Sequence, residues 1–322
     1  MSSQLFDPAL TPAEPPPGCQ LEERPSLPSL GSLYLSALLK RRRGLKRDER
    51  IPKRGVGAPL TLTSEWLKSY LEICEWRHDD ALTTPLTVGQ VCAAHAQSLL
   101  LLGEHFPISP LGLVHASNEI TAQSALPLDT PLWVRVWFGE TEWRPKGVTI
   151  DLHTVISTQA RRDEPLWLGR TTAFKAHLPD QEAVQAQRAQ PRAPQASLST
   201  QQGASEALPL PLSADMGRRY APIAGDRNPI HLYPWSARLF GFKRPIMHGM
   251  WSLARSLSYA TPSPQDASVG SLQVHFKRPI ELPSTPTLTL CPEHEGEGLR
   301  DARFEVRTAR DQLAIEGEWK LI

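Results

Sequence analysis

Two stretches of the chain carry the same succession of apolar patterns. In the first, Val91, Ala94, Ser98 and Leu102 fall on one stripe at helical spacing, which predicts a helix near 87–102. In the second, Met250, Leu253, Ala254 and Leu257 recur in the same way after Gly249, and Thr261-Pro262 ends the run. Strand-like alternation follows both. Val134 and Val136 alternate, as do Leu272, Val274 and Phe276, and further strands are expected over 147–157, 165–175, 285–291, 301–308 and 312–321. One long helix followed by about four antiparallel strands predicts a sheet wrapped around a helix, an α+β layer arrangement.

The two stretches also share residues in the same order. Leu62-Thr-Ser-Glu-Trp-Leu-Lys-Ser-Tyr70 aligns with Leu212-Ser-Ala-Asp-Met-Gly-Arg-Arg-Tyr220, at an offset of 150. Pro85-Leu-Thr-Val-Gly89 then aligns with Pro245-Ile-Met-His-Gly249, and the segment from Gly112 to Ile120 with that from Leu272 to Ile280, both at an offset of 160. Each match alone is weak; their common order points to an internal duplication. The jump in offset means that the second copy carries ten extra residues between its Tyr and its Gly.

Outside the copies the composition shifts. Residues 1–30 are rich in Pro, Ser and Glu, and 180–208 are rich in Gln, Ala, Pro and Ser, which reads as a tail and a linker. Between tail and first copy, residues 33–39 read as a short amphipathic helix running into Lys40-Arg-Arg-Arg43 and Lys46-Arg47. Its basic end is expected to be solvated, with docking of an acidic carrier protein as the functional alternative. The expected divisions are 1–58, an N-terminal extension; 59–179, the first domain; 180–208, a flexible linker; and 209–322, the second domain.

The bulk numbers exclude several classes. Lys+Arg 35 against Asp+Glu 34 leaves a net charge of +1, so no global field recruits nucleic acid or anionic lipid. No apolar run is long enough to cross a bilayer, and the acid-containing start is a poor export signal, so a cytoplasmic location is expected. Cys19, Cys74, Cys92 and Cys291 show no paired spacing, which argues against a disulfide framework or zinc ribbon.

The extra residues of the second copy hold the dense polar chemistry. They read Gly225-Asp-Arg-Asn-Pro-Ile-His231, and Arg244-Pro-Ile-Met-His-Gly-Met250 follows. Gly225 frees the backbone for a tight turn, and Asn228-Pro229 is a cap followed by a first-turn proline. The turn would carry His231 back towards Asp226, so that a carboxylate and an imidazole could hold one water and share its protons. Taken alone, an Asp in a Gly-Asp turn is ordinary turn chemistry and a lone His an ordinary structural residue. A metal site from Asp226, His231 and His248 is conceivable on ligand type, yet no tidy His-x-x-x-His or Cys pair supplies it.

The run from 220 to 252 resembles the hydratase motif of the MaoC-like enoyl-CoA hydratases and acyl dehydratases, and the duplication extends the likeness to their tandem, double-hot-dog members. The resemblance implies antiparallel sheets wrapped around long central helices. It implies a hydro-lyase of fatty-acid metabolism that hydrates trans-2-enoyl thioesters reversibly, to (R)-3-hydroxyacyl thioesters carried on CoA or an acyl-carrier protein. Asp226 and His231 would activate the water, and the Gly249 amide would bind the thioester oxygen. Asn228 would orient the loop, and His248 would support the helix start beside the substrate. Lys243 and Arg244, with Lys277 and Arg278, could meet CoA or phosphopantetheine phosphates, although solvated surface charge explains them equally well. No cofactor and no metal is implied. Tyr233-Pro234 departs from the family, which often has an acidic residue or His before that Pro; the expected effect is a lost helix cap of about 1 kcal/mol.

In the first copy Trp76 falls where Asp226 sits, Val88 replaces His248, and the loop from Arg77 to Thr84 is too short for a counterpart of His231. That half is expected to be catalytically empty and to make room for the acyl chain. A thioesterase and a non-catalytic acyl-CoA-binding protein are the competing functions. Fused copies can satisfy each other's surfaces, so a monomeric pseudo-dimer or a homodimer is expected.

Overall fold

The computed structural model describes residues 12–28, 42–76, 82–110, 112–176, 197–201, 203–261, 263–292 and 300–322. In chain order the elements are β1 (Gln20–Glu23), β2 (Arg54–Thr61), α1 (Ser64–Ile73), α2 (Val88–Leu102), β3 (Leu113–Ala122), β4 (Pro131–Arg144), β5 (Gly147–Thr158), β6 (Pro165–Ala176), β7 (Leu208–Pro209), α3 (Met216–Ala224), α4 (Pro234–Leu239), α5 (Gly249–Ala260), β8 (Gly270–Phe276), β9 (Thr287–Pro292), β10 (Asp301–Arg307) and β11 (Leu313–Leu321). The strands form one sheet in the order β1-β2-β4-β5-β6-β3-β8-β11-β10-β9-β7.

That order contains the duplication. In the first half the strands run β2-β4-β5-β6-β3, and in the second β7-β9-β10-β11-β8, so each half places its own strands in the order first, third, fourth, fifth, second. The halves meet where β3 pairs antiparallel with β8, from Ser117 opposite His275 to Ala122 opposite Gly270. Each second strand would otherwise be a bare edge, and the seam satisfies both at once. The architecture is the α+β double hot dog expected from the sequence.

The helices are held by close approaches. α2 lies against β2, β4, β5 and β6. A Cβ on Gly89 would come within 2.4 Å of the Trp167 ring, and one on Gly249 within 2.5 Å of the Phe276 ring. Glycine at both helix starts lets the backbone ride directly on a sheet aromatic. The halves also interlock through helices: the Trp66 indole donates to the Ile223 carbonyl at 3.0 Å, and the Trp251 indole to the Ile73 carbonyl at 2.8 Å. One continuous apolar core runs through both.

Several boundaries differ from expectation. β2 begins at Arg54 and pairs with β4, while β1 pairs in parallel with β2, so part of the 1–58 extension is sheet. The glycines of Arg-Gly-Val-Gly hid this strand from a reading based on apolar alternation. Of the expected linker, residues 197–201 and 203–208 are described, and they are packed. Ser197 Oγ donates to Glu305 at 2.6 Å, and Ser205 N to the Leu290 carbonyl at 2.7 Å. The helix expected at 33–39 lies outside the described residues. Arg42, expected on a solvated face, instead donates to the Leu102 carbonyl at 2.7 Å, the Phe106 carbonyl at 2.8 Å and the Gly103 carbonyl, where α2 ends. A cation there complements the partial negative charge of the helix terminus. Among the described residues no helix is long and apolar enough to cross a membrane.

Candidate active site

α3 ends at Gly225, whose φ of +66° reverses the chain at no steric cost. Asp226 follows at once, and its Oδ1 accepts the Asn228 amide at 3.0 Å, fixing the turn. Asn228 Oδ1 in turn faces the Ile230 amide at 3.4 Å and caps the short 3-10 turn Pro229–His231. The sequence predicted this cap and first-turn proline. The outcome is that His231 comes back over Asp226, with Nε2 3.7 Å from Oδ2.

The imidazole's protonation follows from its other contact. His231 Nδ1 lies 2.7 Å from the Ile246 carbonyl. A carbonyl oxygen only accepts, so Nδ1 carries a proton, and in the neutral imidazole Nε2 turns its lone pair towards Asp226. Two acceptors 3.7 Å apart cannot bond each other. A water within about 2.8 Å of both would bridge them, donating to each.

His248 completes the cluster. Its ring stacks on that of His231 with centroids 3.7 Å apart and an interplanar angle of 25°. Its Nε2 donates to the Asp226 backbone carbonyl at 3.1 Å and stands 3.9 Å from Oδ2. Burial, reinforced by His231, holds His248 well below the usual histidine range, so it is neutral. Burial also pushes the Asp226 carboxyl up, but His231, His248, the Asn228 amide and His115 outweigh it, and the group rests below the ordinary aspartate range. Asp226 is therefore a carboxylate at neutral pH. The ligand atoms of Asp226, His231 and His248 lie within 4.8 Å of one another, close enough to suggest a metal. With its Nε2 proton committed to the Asp226 carbonyl, however, His248 has its lone pair on Nδ1, which is buried without a hydrogen-bond partner among the described residues. A metal drawing on both Nε2 atoms would have to break that bond.

The cluster opens on a cavity of about 790 Å³ whose wall includes Asp226, Asn228, His231, His248 and Gly249. All three catalytic candidates are thus together, with the α5 start beside them. First-turn helix amides lack intrahelical partners and sit at the positive end of the dipole, so an anionic oxygen is favoured there. The cavity runs on into the first half, along Val91, Ala94, Leu101, Leu152 and Ala173. Deep in that half a closed polar ring lines it: Gln90 Nε2 donates to Gln97 Oε1 at 3.0 Å, Gln97 Nε2 to Thr171 Oγ1 at 3.2 Å, and Thr171 to Gln90 Oε1 at 3.0 Å.

Not every expected site residue is in place. Lys243 and Arg244 are exposed and outside the cavity lining. The cations on the wall are Arg42, Arg227, Lys277 and Arg278. Sequence reasoning also missed His115 of the first half, which lines the cavity, lies 4.9 Å from the Phe276 ring and is lowered by burial to about 4. Only the seam between β3 and β8 brings it there, and no local spacing signals it. Tyr233 leaves α4 without a side-chain cap, as expected; the Ser236 hydroxyl accepts the Tyr233 amide at 3.3 Å instead.

Comparison with known proteins follows the same lines. Residues 196–312 match the family model described as MaoC like domain. A 3-hydroxyacyl-thioester dehydratase X of Mycobacterium tuberculosis is 27% identical over 256 residues, which is 78% of this chain and 84% of that protein. The crystal structure of HtdX from the same organism superposes with a TM-score of 0.65 at 25% identity, over 84% of this chain and 100% of that one. A MaoC-like dehydratase from Phytophthora capsici gives a TM-score of 0.64 at 18% identity, over 83% and 95%, a likeness of fold alone.

Proposed function

The chain belongs to the MaoC-like dehydratases of double-hot-dog build, and from that premise we propose that it is a hydro-lyase acting on 3-hydroxyacyl thioesters. The reaction is the reversible loss of water from an (R)-3-hydroxyacyl thioester to give the trans-2-enoyl thioester. The observation that carries the reading is the convergence of Asp226 Oδ2 and His231 Nε2, 3.7 Å apart, where one water on the cavity side could reach both, on the wall of an acyl-sized cavity.

In the hydration direction a water between the two groups loses a proton to one of them as its oxygen bonds to C3. The C2–C3 double bond shifts its electrons towards the thioester oxygen, and C2 receives a proton from the pair. Dehydration reverses each step. The oxygen that gathers charge would lie at the Gly249 amide, where a preorganised donor is worth about 3–4 kcal/mol in comparable sites. The apolar walls of the first half would take the acyl chain, which gives the half without acid or base its use. CoA and a carrier protein are both compatible with this chemistry. The free cysteines Cys19, Cys74, Cys92 and Cys291 fit the cytoplasmic location expected from the sequence.

The test follows the 2-enoyl absorbance of crotonyl-CoA and a longer 2-enoyl-CoA, with free thiol measured in parallel. Wild type should consume the enoyl signal without releasing thiol. Asp226→Ala and His231→Ala should each lose about a hundredfold or more in kcat. Hydration surviving both substitutions, or thiol release without hydration, would overturn the reading.

A further inference from the structure

The segment that sends Phe240 and Phe242 into the cavity has a different outer face. Trp235 and Leu239 on α4 are 65% and 74% exposed, and Tyr233 at its cap is 44% exposed. Among the described residues these are three of the four exposed large hydrophobics. Trp235 and Leu239 are four apart on one helix face, with Arg238 beside them. Tyr233 stacks on Trp235 with centroids 6.2 Å apart, and the Arg218 guanidinium lies 5.1 Å from the Tyr233 ring. Single exposed apolar residues need no explanation, but a cluster of them rimmed by polar groups marks an interaction surface.

Cations predominate along the rim, although Asp215 interacts with Arg218 and Arg219. Between 218 and 244 the cations are Arg218, Arg219, Arg227, Arg238, Lys243 and Arg244, and the single acid is Asp226, which faces the cavity. In a chain of net charge +1 this is a strong local concentration, and of these cations Arg227 reaches the cavity wall while Lys243 and Arg244 are exposed outside it. A two-fold contact between two copies would lay these cations against each other, which disfavours a second copy as occupant.

We propose that the outer face of α4 docks an acidic acyl-carrier protein, which delivers the thioester to the adjacent cavity. The proposal rests on the hydro-lyase reading above. Trp235 and Leu239 supply the apolar centre of the contact, and Arg238, Lys243 and Arg244 its charged rim. Lys243 and Arg244 then serve the carrier protein's surface and not the phosphates within the cavity.

The experiment uses one acyl group, crotonyl, on two carriers: CoA and a purified stand-alone acyl-carrier protein. Wild type is compared with Trp235→Ala/Leu239→Ala and with Arg238→Glu, and binding of the holo-carrier is followed separately by calorimetry. The variants should lose about tenfold or more in kcat/KM on the carrier protein, with matching loss of carrier binding, while CoA turnover stays within about twofold. Equal losses on both carriers, or an unchanged carrier-protein reaction, would overturn the proposal. So would unchanged carrier kinetics accompanied by a shift from dimer to monomer, or by lost binding to phosphatidylserine vesicles. Wild type that binds the carrier but hydrates neither thioester would overturn the hydro-lyase reading and leave the docking face standing.

Discussion

The His231 and His248 rings lie face to face, 3.7 Å between centroids, and each uses one nitrogen to grip a backbone carbonyl. His231 is thereby fixed with its free lone pair towards the cavity, while His248 holds the Asp226 backbone from behind. The two imidazoles thus have different places in the proposed mechanism: His231 would meet the water, and His248 would hold the Asp226 backbone behind it.

The first consequence concerns the pH profile. Asp226 is held below the usual aspartate range, and its working form is the carboxylate. The share of any acid loss of activity that belongs to Asp226 should therefore appear only below the usual aspartate range. The log of kcat/KM against pH should show no limb near 4.5 to 5 that Asp226→Asn removes; finding one would contradict the assigned ionisation. Above neutrality the carboxylate imposes no further change.

Gly249→Ala should damage both fold and chemistry. The added methyl would meet the Phe276 ring at 2.5 Å, so either that ring or the start of α5, with its first amides, must give way. Overpacking of this kind costs about 1–3 kcal/mol, and kcat should fall about tenfold or more. Gly249→Ala/Phe276→Ala should regain part of the lost melting temperature. Full activity in the single variant would argue against a role for the α5 start.

Acid should loosen the fold before Asp226 is protonated. His153 is buried against Trp137, and burial, with help from Arg170, lowers it from 6.5 to about 4. His115 is lowered likewise to about 4. A group whose folded pKa lies below its unfolded one binds its proton more readily in the unfolded chain. Its stabilising effect is therefore whole above 6.5 and is lost as pH falls from there towards 4. Each contributes a slope of about 1.4 kcal/mol per pH unit across that window. Thermal melts from pH 7.5 to 4.5 should show the decline, shallower in His153→Gln.

Chelation should change nothing. The cluster of Asp226, His231 and His248 has metal-like spacing, yet the His248 Nε2 proton is committed to the Asp226 carbonyl. Prolonged dialysis against a strong chelator should leave kcat intact, and added zinc should inhibit if it does anything, by competing for the His231 lone pair. Activity that vanished with chelation and returned with one metal would reverse the tautomer assignment.

Much of this fold could be read in the sequence because its elements obey short-range rules. The helix starts at Gly89 and Gly249, the strands β4 to β6 and β8 to β11 and the cap at Asn228 are all set by neighbours a few residues away. What escaped depends on distant partners. β2 is rich in glycine and is a strand because β4 pairs with it. Arg42 looked solvated until the carbonyl end of α2, some sixty residues away, gave it acceptors. His115 joins the cavity across the seam between halves. Lys243 and Arg244 were grouped with the cavity because they adjoin the motif, but adjacency in the chain does not decide which side of a wall a residue occupies.

The seam also divides responsibilities between the two ancestral copies. The proposed acid and base, Asp226 and His231, stand in one, whereas α2 and β3 of the other line the cavity beside them. Substitutions along α2 can therefore retune which acyl groups fit without disturbing the acid and base. On the proposed mechanism neither copy can be shed, since the half without the acid and base furnishes the other's chamber.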